Sequence, residues 1–455
     1  MRWLVLLLLC NTAGAGPLRI GRAAVRITPE PGTPMAGYYS IRLATGTHDD
    51  LFSKAIVLEK DGVKAALVAC DLAALSAGVI QEARKLASRD TGIPAANIMI
   101  SATHSHTGPV ITGRGARDSA YGGSLPILKK YMADLPVRIA ESVKLANAGL
   151  ETARASGGAG KEPSLAFNRR FHMKDGSVGW NPGKLNPSIV KPAGPIDPDV
   201  NVVYFESQDA RPLATYVNYA CHLDTVGGTE WSADYPFALA SILGRVKGSS
   251  MLTLFTIGTA GNINHIDVTH KKPQKGHDEA ARIGTVLAGE VIKTYTRLSP
   301  VSEAALRVSS EIVPLALPEV AAADVDRART IEADVAAGKQ VKFLDAVFAF
   351  QAIDVAARNG KPWDAEVQVI ALGDQIAWVA LPGEVFVELG MAIKSASPFP
   401  LTIAVELAHG PTTYIPDERA YPQGNYEVVS SRVSRGSGEK LVQSAVRQLE
   451  AIRKR

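Results

Sequence analysis

The chain has 455 residues, with 49 lysines and arginines against 45 acidic residues and a formal net charge of +4 spread along its length. It contains no dense basic block with interleaved aromatics, which argues against a nucleic-acid partner. Its three cysteines form no Cys-x-x-Cys pair, so a thiolate zinc site is unsupported.

Met1-Arg-Trp3 precedes an apolar Leu4-Val-Leu-Leu-Leu-Leu9, and Ala13-Gly-Ala15 supplies a small-x-small cleavage pattern. Residues 1–15 therefore read as a secretory signal, with a secreted or periplasmic protein as the expectation. The apolar core is too short to span a bilayer, and no later run reaches the length of a transmembrane helix. Peripheral membrane contact stays open through Lys271-Lys-Pro-Gln-Lys275 and Arg453-Lys-Arg455, which otherwise read as solvated faces. Cys70 and Cys221 both lie in apolar strand-like runs and read as small buried hydrophobes, though export would permit a disulfide.

Strand patterns fall at residues 55–58, 65–70, 98–100, 202–205, 214–219, 251–257, 367–372, 376–381 and 401–405. Helical spacing appears between them at 77–88, 127–146, 237–246, 278–295 and 385–395. Residues 319–360, rich in alanine and charge, read as a helical pair inserted before the last strands, and 437–453 as a closing amphipathic helix. This alternation predicts an α/β fold, a mixed sheet flanked by helices, in a single domain over residues 16–455.

Chemistry concentrates in Ser101-Ala-Thr-His-Ser-His-Thr-Gly-Pro109, directly after the apolar Asn97-Ile-Met-Ile100. His104 and His106 sit two apart, so extended backbone would aim both rings at one pocket. Imidazole is a frequent zinc ligand and a frequent general acid/base. His222, Asn262 and Glu384 also follow apolar strands, where groups converge on one mouth of a sheet. Taken alone, His222 reads as a hydrogen-bonded structural histidine and Glu384 as an acid in a helix's first turn. Tyr414 lies between prolines with no strong regular pattern and reads by itself as a packing aromatic. Arg169 is indistinguishable by composition from Arg170 beside it.

The segment Thr103-His-Ser-His-Thr-Gly-Pro109 resembles the zinc motif of the neutral, non-lysosomal ceramidases. Gly37-Tyr38, Gly46-Thr-His-Asp-Asp-Leu-Phe-Ser-Lys-Ala55, Asn168-Arg169 and Asn218-Tyr-Ala-Cys-His222 continue the likeness. Ala260-Gly-Asn262, Leu381-Pro-Gly-Glu384, Tyr414-Ile-Pro416 and Asn425-Tyr-Glu427 follow in the family's order. The resemblance implies a zinc ion (Zn2+) held by His104, His222, Glu384 and Tyr414. It implies attack by zinc-bound water on an N-acyl amide, with His106 as general acid/base and Tyr426 and Arg169 as oxyanion or headgroup donors. Asn262, Asn264 and His265 would lie against the substrate.

At one point the chain departs from the family. Asn264 stands where ceramidases carry a serine, and His265 where they carry proline. The sequence also stops soon after the tyrosine segment, without the immunoglobulin-like C-terminal module of full-length ceramidases. Both features point from ceramide towards a more polar acyl amide, a small-molecule or lipid substrate in either case. An ester, lactone or peptide hydrolase on the same zinc, and a non-catalytic zinc- or lipid-binding relative, are the alternatives. His48-Asp49-Asp50 and His265-Ile-Asp267 have ligand chemistry too, and read as supporting groups.

Overall fold

Strand Phe52–Lys60 shows how the architecture arises. Ala55 and Val57 belong to one apolar cluster, and the intervening Ile56 and Leu58 to another. The next strand, Val63–Cys70, repeats the division: Ala66, Val68 and Cys70 on one face, Ala65, Leu67 and Ala69 on the other. Strands buried on both faces lose polar alternation and read as continuous apolar runs.

The computed structural model describes residues 16–302, 305–410 and 413–454; the expected export signal over 1–15 lies outside them. Eight strands of the large sheet run in the order 252–257, 212–219, 199–207, 151–161, 19–26, 52–60, 63–70, 98–102, and Ser299–Pro300 adds to 151–161. Pairing is parallel at its two ends, between 212–219 and 252–257 and between 63–70 and 98–102, and antiparallel elsewhere. The sheet is mixed, as expected. A second sheet, which the periodicity does not distinguish, is built from Leu306–Leu315, Trp363–Leu372, Ile376–Ala380 and Leu401–Val405.

The two sheets share one apolar interior. Ile20, Ile56, Leu67, Phe205 and Tyr216 of the first meet Ile370, Ile376, Trp378 and Ile403 of the second. Trp378 is fully buried there, and its truncation to alanine would cost roughly 3–5 kcal/mol. Helices Ala77–Thr91, Leu128–Ala148, Tyr235–Lys247 and His277–Tyr295 cover the outer face of the large sheet. Val387–Ala396 and Ser437–Arg453 cover the small one. The helical pair forms at Ala322–Ala336 and Phe343–Ala356. Cys70 and Cys221 are free and buried. No helix among the described residues is long and apolar enough to cross a membrane.

The segment after the last strand of the small sheet docks on the end of strand Ile98–Ala102: Ala102 N donates to Leu407 O at 3.2 Å, and His409 N to Ile100 O at 3.2 Å. His409 is locked as a neutral ring. Arg84 Nη2 donates to its Nδ1 at 3.0 Å, and its Nε2 donates to Gln368 Oε1 at 3.1 Å. Burial, reinforced by Arg84 and opposed by Glu366, lowers its pKa from the ordinary 6.5 to about 3. The unfolded chain therefore takes up this proton first. The stability His409 contributes is complete above about pH 6.5 and is lost as pH falls from there to about 3. Urea unfolding at pH 7 and pH 4.5 should show His409→Gln losing less stability on acidification than wild type, and equal losses would contradict this role.

Candidate metal centre

His104 leaves its strand with φ +80°, and its N–H donates to Leu72 O at 2.9 Å. Extended backbone therefore does not align the two histidines; a turn does. The rings still meet, with His104 Nε2 and His106 Nε2 3.3 Å apart. Gly37 lies directly against His106: at φ +99°, a Cβ there would sit 2.7 Å from the imidazole.

His222 follows strand Pro212–Tyr219 and packs its ring edge-on to His104, centroids 4.4 Å apart. The reactive nitrogens of His104, His106 and His222 form a group compact enough to hold a metal ion. Glu384 enters from the small sheet, with Oε2 3.4 Å from both His104 Nε2 and His222 Nε2. Tyr414 joins through a two-residue parallel pairing in which Glu384 sits opposite Tyr414 and Val385 opposite Ile415. The segment expected to be irregular is thus a short strand, paired with the segment that carries the carboxylate.

The donor set fits a cation. Glu384 Oε2 is buried and makes no hydrogen bond among the described residues. The other ring nitrogens are already committed, His104 Nδ1 to Ala73 O at 2.7 Å and His222 Nδ1 to Ala260 O at 2.9 Å. Each ring therefore carries a proton on Nδ1 and turns Nε2 inward, the arrangement that carbonyl partners impose on metal-binding histidines. Burial, with Arg169 and His104 adding to it, lowers the His222 pKa to about 3. Burial works to raise the Glu384 carboxyl, but the two imidazoles hold it well below its ordinary value. A neutral His222 ring beside an ionised carboxylate suits a metal ion.

Arg169 and Arg170 separate cleanly. Arg169 points inward, donating to Tyr414 Oη at 3.1 Å and Gly261 O at 2.7 Å, with Nη1 3.2 Å from His222 Nε2. Arg170 turns to Gln423 and Gly424. Glu427, fully buried, accepts from both, at 2.9 Å and 2.8 Å. Tyr426 is buried with its ring 5.3 Å from Tyr414 and 4.5 Å from Trp180. His106 Nδ1 faces Asp224 Oδ1 at 3.6 Å, and Asp224 also takes the Tyr38 hydroxyl.

The remaining expected residues are held by their neighbours. Asn262 bonds Glu388 and the Val387 N–H, both at 2.9 Å. Asn264 bonds Asn181 and the Ile266 N–H, both at 3.0 Å. His265 Nε2 bonds Gln274 O at 2.7 Å. His48 hydrogen-bonds Asp49 and stacks on His277.

Sequence patterns give no sign of Glu406. Wholly buried, its Oε2 accepts from Ala260 N at 3.1 Å and Val385 N at 2.7 Å. It thereby ties the loop whose carbonyl orients His222 to the residue beside Glu384. Burial, with Glu384 adding to it, raises its carboxyl well above the ordinary range, against the pull of the two N–H groups it accepts.

No family model matches the sequence, and no curated protein matches it. Solved structures share the fold, two ceramidase structures among them. The crystal structure of neutral ceramidase from Pseudomonas aeruginosa aligns with a TM-score of 0.73 and 19% identity, over 96% of this chain and 75% of that one. A ceramidase complexed with C2 aligns with a TM-score of 0.74 and 19% identity, over the same shares.

Glutamine keeps an oxygen that can accept from Ala260 N and Val385 N, so Glu406→Gln should keep the metal affinity of wild type. Glu406→Ala should lose about 10–100-fold in affinity, the usual cost of removing a group that orients ligands. Competition against a chelator measures both; equal affinity in wild type and Glu406→Ala would remove Glu406 from the centre's support.

Proposed function

We propose that this chain is a zinc-dependent hydrolase of N-acyl amides, of the neutral ceramidase family, acting within a single domain over residues 16–455. The observation that carries this is Glu384 Oε2, buried without a hydrogen bond and 3.4 Å from two imidazole nitrogens. The ordered motifs and the ceramidase fold support it. His104, His222, Glu384 and Tyr414 would hold the ion, two nitrogens and two oxygens suited to zinc. When bound, zinc supplies Lewis acidity and lowers the pKa of a water from 15.7 to about 7.

The chain's own groups supply the rest. Burial holds the His106 imidazole well below its ordinary pKa, though Asp224 opposes this, so it starts neutral and can accept a proton. Asp224, 3.6 Å from Nδ1, then stabilises the imidazolium. Hydrolysis breaks the amide C–N bond: the hydroxyl of water goes to the carbonyl carbon, and His106 returns the proton to the amine nitrogen. The Tyr426 hydroxyl and the Arg169 guanidinium are the donors assigned to the developing oxyanion. We further read residues 1–15 as an export signal that places the enzyme outside the cytoplasm.

Purified protein should contain one zinc per chain, and His104→Ala should lose it; equal zinc in both would defeat the ligand assignment. His106→Ala should keep the zinc and lose about 10²–10⁴-fold in turnover of an acyl amide. If His106→Ala also loses the metal, His106 is a ligand and not the proton carrier. Tyr426→Phe should lose about 10²–10³-fold in turnover, the cost of one oxyanion donor, and unchanged kinetics would make Tyr426 a packing residue.

A further inference from the structure

A small cavity of about 20 Å³ opens on the wall formed by Glu384 and Tyr414, and three arginines line it: Arg114, Arg117 and Arg432. Two of them have partners. Arg432 Nε donates to Asp354 at 2.7 Å and Nη1 to Ser430 O at 3.3 Å. Arg117 lies over the Tyr39 ring, 5.3 Å from its centroid. Arg114 is different. Its side chain is only 7% exposed, yet Nε and Nη1 make no hydrogen bond among the described residues. Its counter-charge, Asp118, stays 3.6 Å away, beyond hydrogen-bonding range.

A buried guanidinium with unmet donors is costly to fold, and an anion accepting from them would relieve that cost. The loop is also fixed in place. Ala116 N donates to Asp354 Oδ1 at 2.8 Å, and Gly115, at φ +149°, has no room for a Cβ, which would fall 2.3 Å from Asp354 Oδ2.

We propose that this pocket receives a carboxylate carried by the substrate close to the scissile bond, so that the preferred substrates are acidic N-acyl amides. This rests on the amide-hydrolase reading above and narrows it. Arg114 Nη1, on the edge away from the Nε that faces Asp118, can donate to a carboxylate oxygen, and a cavity of this size admits one small polar group. Ceramide carries no anionic group and would leave the Arg114 donors unmet. The carboxylate can sit on the amine side, as in an N-acyl amino acid, or on the acyl side, as in a dicarboxylic monoamide.

The test compares substrates that differ in charge alone. N-lauroylglycine is set against N-lauroylglycinamide, with the monododecylamide of succinate as the acyl-side arm, using zinc-loaded wild type, Arg114→Gln and Arg114→Lys. Wild type should favour an acid over its neutral twin by about 10–100-fold in kcat/KM, mostly through KM, as charge-assisted hydrogen bonds predict. The preference should collapse in Arg114→Gln. Arg114→Lys, which keeps the charge and loses the planar guanidinium, should weaken it and serves if the glutamine variant does not fold. Whichever acid is favoured identifies the side.

Thermal shifts with the same ligands give a readout independent of turnover. If wild type treats acid and amide alike, or the acid stabilises Arg114→Gln as well as wild type, the carboxylate site is wrong and amide hydrolysis stands. If no amide is cleaved, yet acids stabilise wild type and not the variant, the site stands and the amide-hydrolase reading falls.

Discussion

One oxygen atom sets the terms for the rest of the molecule. Glu384 Oε2 lies buried between His104 Nε2 and His222 Nε2 without a hydrogen-bond donor. A carboxylate oxygen taken out of water and left without a donor is costly to fold. Around it the two rings are aimed by main-chain carbonyls, those of Ala73 and Ala260. Glu406 fixes the loop bearing Ala260 and the residue after Glu384 at once. Glu427 holds Arg169, which in turn reaches Tyr414. Each of these polar groups is buried, and each is oriented by another that is also buried.

The architecture explains how residues from distant parts of the chain arrive there. His104 and His222 leave strands of the large sheet, whereas Glu384 and Tyr414 follow strands of the small one. Stacking the sheets on a common apolar interior brings their strand ends to one place. The parallel pairing of Glu384–Val385 with Tyr414–Ile415 fixes the last two groups relative to each other. The interior between the sheets is thus tied to the site by register as well as by packing. A slip in either sheet would part these four side chains.

Strand and helix positions were legible because both faces of most strands are buried, leaving uninterrupted apolar runs. The division into two sheets was not, since an apolar run does not say which partner covers it. The His-x-His pair pointed to one pocket, although the alignment comes from the left-handed backbone at His104 and not from extended geometry. Arg169 and Arg170 are identical in composition, and only the position of Glu427 between them reveals which one faces inward. Glu406, Asp224 and Arg114 gave no local signal. Their roles come from partners far along the chain: Ala260 and Val385 for Glu406, His106 for Asp224, and Glu384 with Arg432 for Arg114.

Crystals of the zinc-loaded protein, measured on either side of the zinc absorption edge, test the centre most directly. An anomalous peak should appear within bonding distance, about 2.0–2.2 Å, of His104 Nε2, His222 Nε2 and a Glu384 oxygen. A peak elsewhere, with Glu384 left without a metal, would contradict the account at its centre.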